Sequence, residues 1–365
     1  MKTKFFYLLF IPILLSCNFF KSGSEEDLFP FENDTQFGYF NVKGETVIKP
    51  QFLSASVFSE DIALVQTFDS GKFGYIDKEG KFIITAKYVM ASIFNEGKAV
   101  VVEENGAPTV INKEGITLFT LKDADELRFF NEDLAAFNVI RDSIPNWGFV
   151  NVKGEKVIKP KYARVKDFYE GKCAVKNNDE KWGFIDKTGK VVIDFQFDDA
   201  LDFNNGKAVV FKGDKAGVIN SNGEFIIKPQ YQAIRIDGDD FMIQQNEQYG
   251  WCDKSGKVFV KPQYNWISGF FNSDLALVQT DAENGYGYID KKGKIVIKPQ
   301  FSHGTSFFGD FAMVKSGEKY GIIDKSGKFT VKPKFESIDL DLFSKINTNG
   351  KYKAKFNAVN NYSTK

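Results

Sequence analysis

Histidine is nearly missing from this 365-residue chain, and cysteine, methionine and tryptophan are scarce, with one, three, four and four residues. A single His303 means that no His-based triad and no His-rich metal centre can be assembled from recurrent positions. Three cysteines are too few for a disulfide-stapled scaffold. Neither sign of charge is in excess: 48 basic and 48 acidic side chains are interspersed along the chain. Nucleic acid demands a net basic face, so it is not an expected partner. Past the first fifteen residues there is no run long and apolar enough to cross a bilayer as a helix. What is plentiful is ring and turn chemistry: 39 Phe, 14 Tyr and 31 Gly.

The N-terminus is read separately, because it has the marks of a processed segment. Lys2 and Lys4 precede an apolar run from Phe5 to Leu15 that only Pro12 interrupts. Those eleven residues fall short of the roughly 20 that span a bilayer, and they fit a signal-peptide core. Leu14-Leu15-Ser16-Cys17 resembles the lipobox of bacterial lipoproteins. That resemblance implies an acylated Cys17 as first residue of the mature chain, with membrane attachment through this lipid only. Each buried methylene contributes about 0.8 kcal/mol, so several acyl chains hold durably. The bland reading is an ordinary signal peptide with an incidental cysteine.

Self-similarity then organises the rest. Trp182-Gly-Phe-Ile-Asp-Lys-Thr-Gly-Lys and Tyr286-Gly-Tyr-Ile-Asp-Lys-Lys-Gly-Lys are one phrase written twice. Its glycine recurs at Gly38, Gly74, Gly148, Gly183, Gly217, Gly250, Gly287 and Gly321, with Pro108 in the slot of a degenerate third copy. The spacings run from 33 to 40 residues. Within a unit, Trp182–Ile185 reads as a strand, Asp186–Gly189 as a tight turn and Lys190–Ile193 as the returning strand. In six copies Lys-Pro follows, at Pro50, Pro160, Pro229, Pro262, Pro299 and Pro333, where a missing amide hydrogen should stop the ladder. A connector carries apolar residues three apart, as in Tyr162, Val165 and Phe168, before a third strand, Ala174-Val175. Three strands per unit are therefore expected.

These residues resemble the WG (KWG) bacterial repeat over about residues 37 to 340. The resemblance implies an all-β tandem array of about nine ~35-residue units, in which stacked copies share one core. A propeller-like closed or nearly closed array is preferred over an open β-solenoid. The expected organisation is a signal peptide at 1–16, lipidated Cys17 and tether at 17–34, the array at 35–343, and a half-repeat cap with polar tail at 344–365.

Three sets of columns carry possible chemistry. Asn41, Asp77, Asn112, Asn151, Asp186, Asn220, Asp253, Asp290 and Asp324 suggest a calcium ladder at first sight. Calcium takes six to eight oxygens converging on one point, and each unit offers one side chain where a turn already explains it. No metal or cofactor is expected. Trp147 and Trp182 fill the repeat's aromatic slot and read as core, as does Trp251, which replaces a Phe or Tyr. Trp266 differs: it lies two residues past Tyr264, in a column that elsewhere holds Ser54, Met90, Arg164, Asp199, Ala233, His303 and Ser337. Columns beside it hold steady while this one scatters, so it is expected to face solvent. Arg164, Asp199, Trp266 and His303 are its candidate binding residues, against the plain alternative of a neutral loop.

No acid stands out as singular, and a catalytic site is not expected. The leading reading is a non-catalytic lipoprotein of the bacterial envelope that binds or scaffolds an unknown protein. A glycan-binding module is the alternative, and a hydrolase a distant third. One aromatic shelf would favour a glycan; a broad mixed face would favour a protein. Cys173 and Cys252 occupy different places in their units, so no disulfide is expected between them.

Overall fold

The computed structural model describes residues 28–41, 45–104, 106–269, 274–280, 285–307 and 309–335. The signal segment, Cys17, Ser337 and the cap at 344–365 lie outside these residues. The described chain is all β: one three-stranded and eight four-stranded sheets follow one another in sequence. Two compact units are distinguished, residues 1–97 with 101–104 and 113–115, and the remainder; the division runs through the sheet built from residues 90–120.

The sheet of residues 164–197 in the second unit shows how sequence becomes structure. Its strands are Arg164–Val165, Lys172–Lys176, Trp182–Asp186 and Val191–Phe197, paired antiparallel in that order. Four strands, not the three expected, form each full sheet. The additional strand is only two residues long and comes from the connector, where Arg164 pairs with Lys176 and Val165 with Val175. Two residues carry no periodicity, so the sequence cannot announce it. Such a four-stranded antiparallel sheet has the make-up of a propeller blade.

Proline does not end the returning strand as expected. Lys156–Tyr162 runs straight through Pro160, because a bulge sits there. Trp147 pairs with Tyr162 and Phe149 with Ile158, so two steps on one strand face four on the other. The excess residues need no ladder hydrogen bond, which is where proline is tolerated. The bulged backbone folds down onto the repeat's glycine. A Cβ on Gly148 would stand 2.3 Å from the Ile158 carbonyl oxygen, and on Gly250 2.4 Å from that of Val260. Only hydrogen fits.

The turn column is spent on turns. Asp186 Oδ1 accepts the amides of Thr188 (2.9 Å) and Lys190 (3.0 Å), and Asp253, Asp290 and Asp324 repeat both bonds. Gly189 closes the turn at φ +84° and seats against Ile158 of the preceding sheet, 3.1 Å from where a Cβ would lie. Gly223 meets Ile193 and Gly327 meets Ile297 in the same way. In the first unit Gly80 seats against Ile48.

Within each unit, apolar clusters join neighbouring sheets. Trp147, Phe149 and Tyr162 pack with Val165, Phe168 and Cys173 of the following sheet, and Trp251 and Tyr264 with Ile267 and Val278. Acid clasps reinforce this stacking: Glu132 accepts the Gly171 amide (3.0 Å) and pairs with Lys187 (3.2 Å), and Glu170 accepts the Gly206 amide (2.8 Å). Glu60 plays that part in the first unit, accepting the Gly97 amide and pairing with Lys113. Trp147, Trp182 and Trp251 are buried, and Cys173 and Cys252 are buried free thiols. Within the segment 17–34 read as tether, Leu28–Asn33 is a strand paired with Gln36–Asn41. Leu28 is buried, and its pairing partner, not its own composition, makes this polar-flanked stretch a strand.

Candidate functional site

The four connector residues each begin a two-residue strand: Arg164–Val165, Asp199–Ala200, Trp266–Ile267 and His303–Gly304. Alternation along a strand turns the first residue outward and the second inward. Arg164, Asp199 and Trp266 are exposed and His303 is half-buried, whereas Val165, Ala200, Ile267 and Gly304 are buried. Trp266 keeps 42% of its surface open.

Two of the four are brought together, through tyrosines of the repeat's aromatic slot. The Trp266 ring lies 6.2 Å from Tyr286, Tyr286 6.0 Å from His303, and His303 6.2 Å from Tyr320. Successive rings stand nearly perpendicular, at 74°, 76° and 87°, the edge-to-face geometry that aromatic quadrupoles favour. Strand register produces this ladder. Trp266 pairs with Gln279 and Gln279 with Tyr286, so all three share a face; His303, Lys315 and Tyr320 do the same one sheet later. Arg164 and Asp199 stand at the equivalent place on earlier sheets, and Ala233 separates them from the ladder in the column. Asp199 Oδ1 is bonded to the Ala200 amide (2.8 Å).

Shallow depressions flank the strand Val258–Tyr264 that leads into Trp266. One, of about 430 Å³, is lined by Gln245, Asn246, Gln248, Val258, Lys261 and Pro262. The other, of about 490 Å³, is lined by Gln263, Tyr264, Thr280, Gly293, Lys294 and Ile295. Their polar groups are amides, hydroxyls and lysines.

A second cluster lies apart from the ladder. Asp167 and Asp202 precede the core rings Phe168 and Phe203 and are largely withdrawn from water. Burial pushes the Asp202 carboxyl up to about 6, with Lys166 opposing and the Asp167 charge adding. Burial likewise raises Asp167, against the pull of Arg128 and Lys166. Burial, then the two carboxylates, raise the Cys173 thiol, which donates to the Lys166 carbonyl oxygen (3.1 Å). Asp202 Oδ1 is buried with no hydrogen-bond partner.

Segments 37–67, 73–106, 147–180, 182–215, 217–240, 249–282, 286–320 and 320–341 match the family of the WG containing repeat, well over half of the chain. The chain belongs to that family. The degenerate copy at Pro108 falls outside the matched WG segments, although strands Thr109–Asn112 and Thr117–Thr120 form there. A comparison with curated proteins yields no match. Among solved structures, a eukaryotic initiation factor is similar at 14% identity over 83% of this chain and 95% of that one, with a TM-score of 0.49. BamB from Moraxella catarrhalis is similar at 10% identity over 71% and 92% (TM-score 0.38), and Kluyveromyces lactis Hsv2 at 10% over 70% and 89% (0.38). The fold assigned here rests on the strand pairings themselves.

Sequence reading missed Tyr286 and Tyr320, because the WG slot is core where tryptophan fills it. Trp147 and Trp182 are closed over by the chain's own cations, Arg128 at 4.0 Å and Lys166 at 5.7 Å. Tyrosine in the last three slots, Tyr249, Tyr286 and Tyr320, was the available signal: a ring with one wet end suits a half-buried place. Asp167 and Asp202 gave no signal, since acids abound and only packing singles these out.

Proposed function

We propose that this WG-repeat chain is a non-catalytic glycan-binding protein of the bacterial envelope, held there by a lipid on Cys17. The ladder Trp266–Tyr286–His303–Tyr320 carries this reading. Sugar rings present an apolar C–H face, which an open indole face accepts, while their hydroxyls need amides and hydroxyls alongside. Gln279, paired with Trp266, supplies such a group, and Gln263 and Thr280 line the neighbouring depression. Among the described residues of the connector column, ring side chains occur at Trp266 and His303, whereas the column before them holds Ser54, Met90, Arg164, Asp199 and Ala233. A protein partner is the second reading, favoured by exposed Arg164 and Asp199 and by the weight that Trp and Arg carry in interfaces.

The test uses the full chain carrying Cys17→Ser, titrated with a panel of envelope polysaccharides, against the same protein with Trp266→Ala. Loss of roughly 2 kcal/mol, about 30-fold in affinity, at unchanged melting is expected. Melting lowered by several degrees with binding intact would make Trp266 a packing residue and sink the site. The anchor is checked separately: wild type should take up fatty-acid label in a bacterial host and partition into detergent, and Cys17→Ser should do neither. An unlabelled wild type would refute the lipid.

A further inference from the structure

The last strand of each sheet turns a row of side chains to solvent, and in the second unit that row is mostly cationic. Its exposed charged positions at and two residues past the Lys of Lys-Pro are Lys159, Lys161, Asp194, Lys228, Lys261, Lys298, Lys332 and Lys334. Asp194 is the single acid, in a chain whose charges balance overall. None of these lysines joins an ion pair among the described residues, whereas lysines of the turns and inner strands, and Lys156 at the start of a last strand, do. Lysine on a terminal strand guards against edge-to-edge aggregation. That guard needs a charge on each edge and does not by itself require the unbroken positive run from Lys228 to Lys332.

From residue 225 onward the row is unbroken: Lys228, Lys261, Lys298 and Lys332 on four consecutive sheets. Neighbouring last strands are stacked on one another, as Phe301 on Phe329 (6.2 Å) and the Gly293 turn on Val260 show. Packed sheets lie about 10 Å apart, so the row sets one cation at roughly that interval. The row passes close to the start of the ladder along the chain, with Asn265 alone between the strand of Lys261 and the strand of Trp266. Val258–Tyr264 carries Lys261 in one depression and Gln263 in the other, and runs on after a single residue into Trp266.

We infer that the glycan is an anionic polysaccharide, its acidic groups read by Lys228, Lys261, Lys298 and Lys332 while its sugar faces rest on the ladder; this rests on the glycan reading above. An extended chain with an acid recurring at disaccharide intervals suits cations spaced in this way. A rigid globular partner would engage few of them.

The probes are hyaluronate, whose acid recurs every second sugar, and polygalacturonate and alginate, which carry one on every sugar, each compared with its own fully methyl-esterified form, so that charge changes and the backbone does not. Full-chain Cys17→Ser protein should bind at least one acid form about tenfold or more tighter than its ester, with the preference fading as salt rises. The variant K228Q/K261Q/K298Q/K332Q should lose that preference yet keep its affinity for the ester and its melting temperature. Trp266→Ala should weaken both forms alike. Equal binding of acid and ester, or an unchanged preference in the lysine variant, overturns the inference and leaves the glycan reading standing. No binding to any probe in either form overturns both.

Discussion

Gly148→Val should cost the protein about 3 kcal/mol, the largest loss expected from any single WG glycine. The reason is steric and lies in backbone, which cannot swing aside as a side chain can. A Cβ at this position would stand 2.3 Å from the Ile158 oxygen and 2.8 Å from the Pro160 nitrogen, where the bulge presses on the slot. Overpacking of a closed site typically costs 1–3 kcal/mol, and valine adds two methyls beyond the Cβ. Gly183 is looser, at 2.8 Å from the Ile193 oxygen, so Gly183→Val should cost less. The ranking is checked by chemical denaturation of the pair. Equal losses, or a Gly148 variant within about 0.5 kcal/mol of wild type, would show that the bulge relaxes freely. Damage should also stay near its source, because each sheet packs on its neighbours. Amide exchange should quicken first across residues 126–197, and uniform loss along the chain would contradict nearest-neighbour coupling.

The second large effect is a gain. Asp202→Asn should stabilise the protein by up to about 3 kcal/mol at pH 7, and by little below pH 4. Folded, this carboxyl titrates at about 6, against 3.8 for the ordinary group, so the folded state holds its proton longer than the unfolded chain. Stability from this group is therefore fully present below about pH 4, falls as pH rises through about 6, and is level above that. At about 1.4 kcal/mol for each pH unit between the two values, the ionised penalty is close to 3 kcal/mol. The groups facing Asp202 are Lys166, Asp167, Tyr169 and Cys173, and of these only the lysine favours the charge. Melting curves of wild type and variant from pH 4 to 8 provide the check. Parallel curves would mean that Asp202 is solvated when folded. A variant less stable at pH 7 would mean that the Lys166 attraction outweighs burial.

The sequence alone determined the repeat and much of its local form. Recurrence of aromatic-Gly, Asp-Lys-x-Gly and Lys-Pro at near-constant intervals specified tandem β units, their tight turns and most strands, because turn chemistry and period-2 alternation are properties of a few adjacent residues. It also separated the steady connector columns from the scattering one that holds Arg164, Asp199, Trp266 and His303, since inward positions restrict residue type and outward positions do not.

Tertiary structure decided whatever depends on a partner distant in the chain. Proline at 160 reads as a stop until the opposite strand supplies a bulge around it. Arg164–Val165 becomes a strand only because Lys176 and Val175 lie beside it. Tyr286 and Tyr320 resemble any other filler of the WG slot until register sets them between Trp266 and His303. Asp202 is one acid among 48 until burial isolates it. Lys228, Lys261, Lys298 and Lys332 form a row only because four sheets stack. Short-range stereochemistry is written in the residues themselves, while adjacency between separate strands exists only once they have paired and packed.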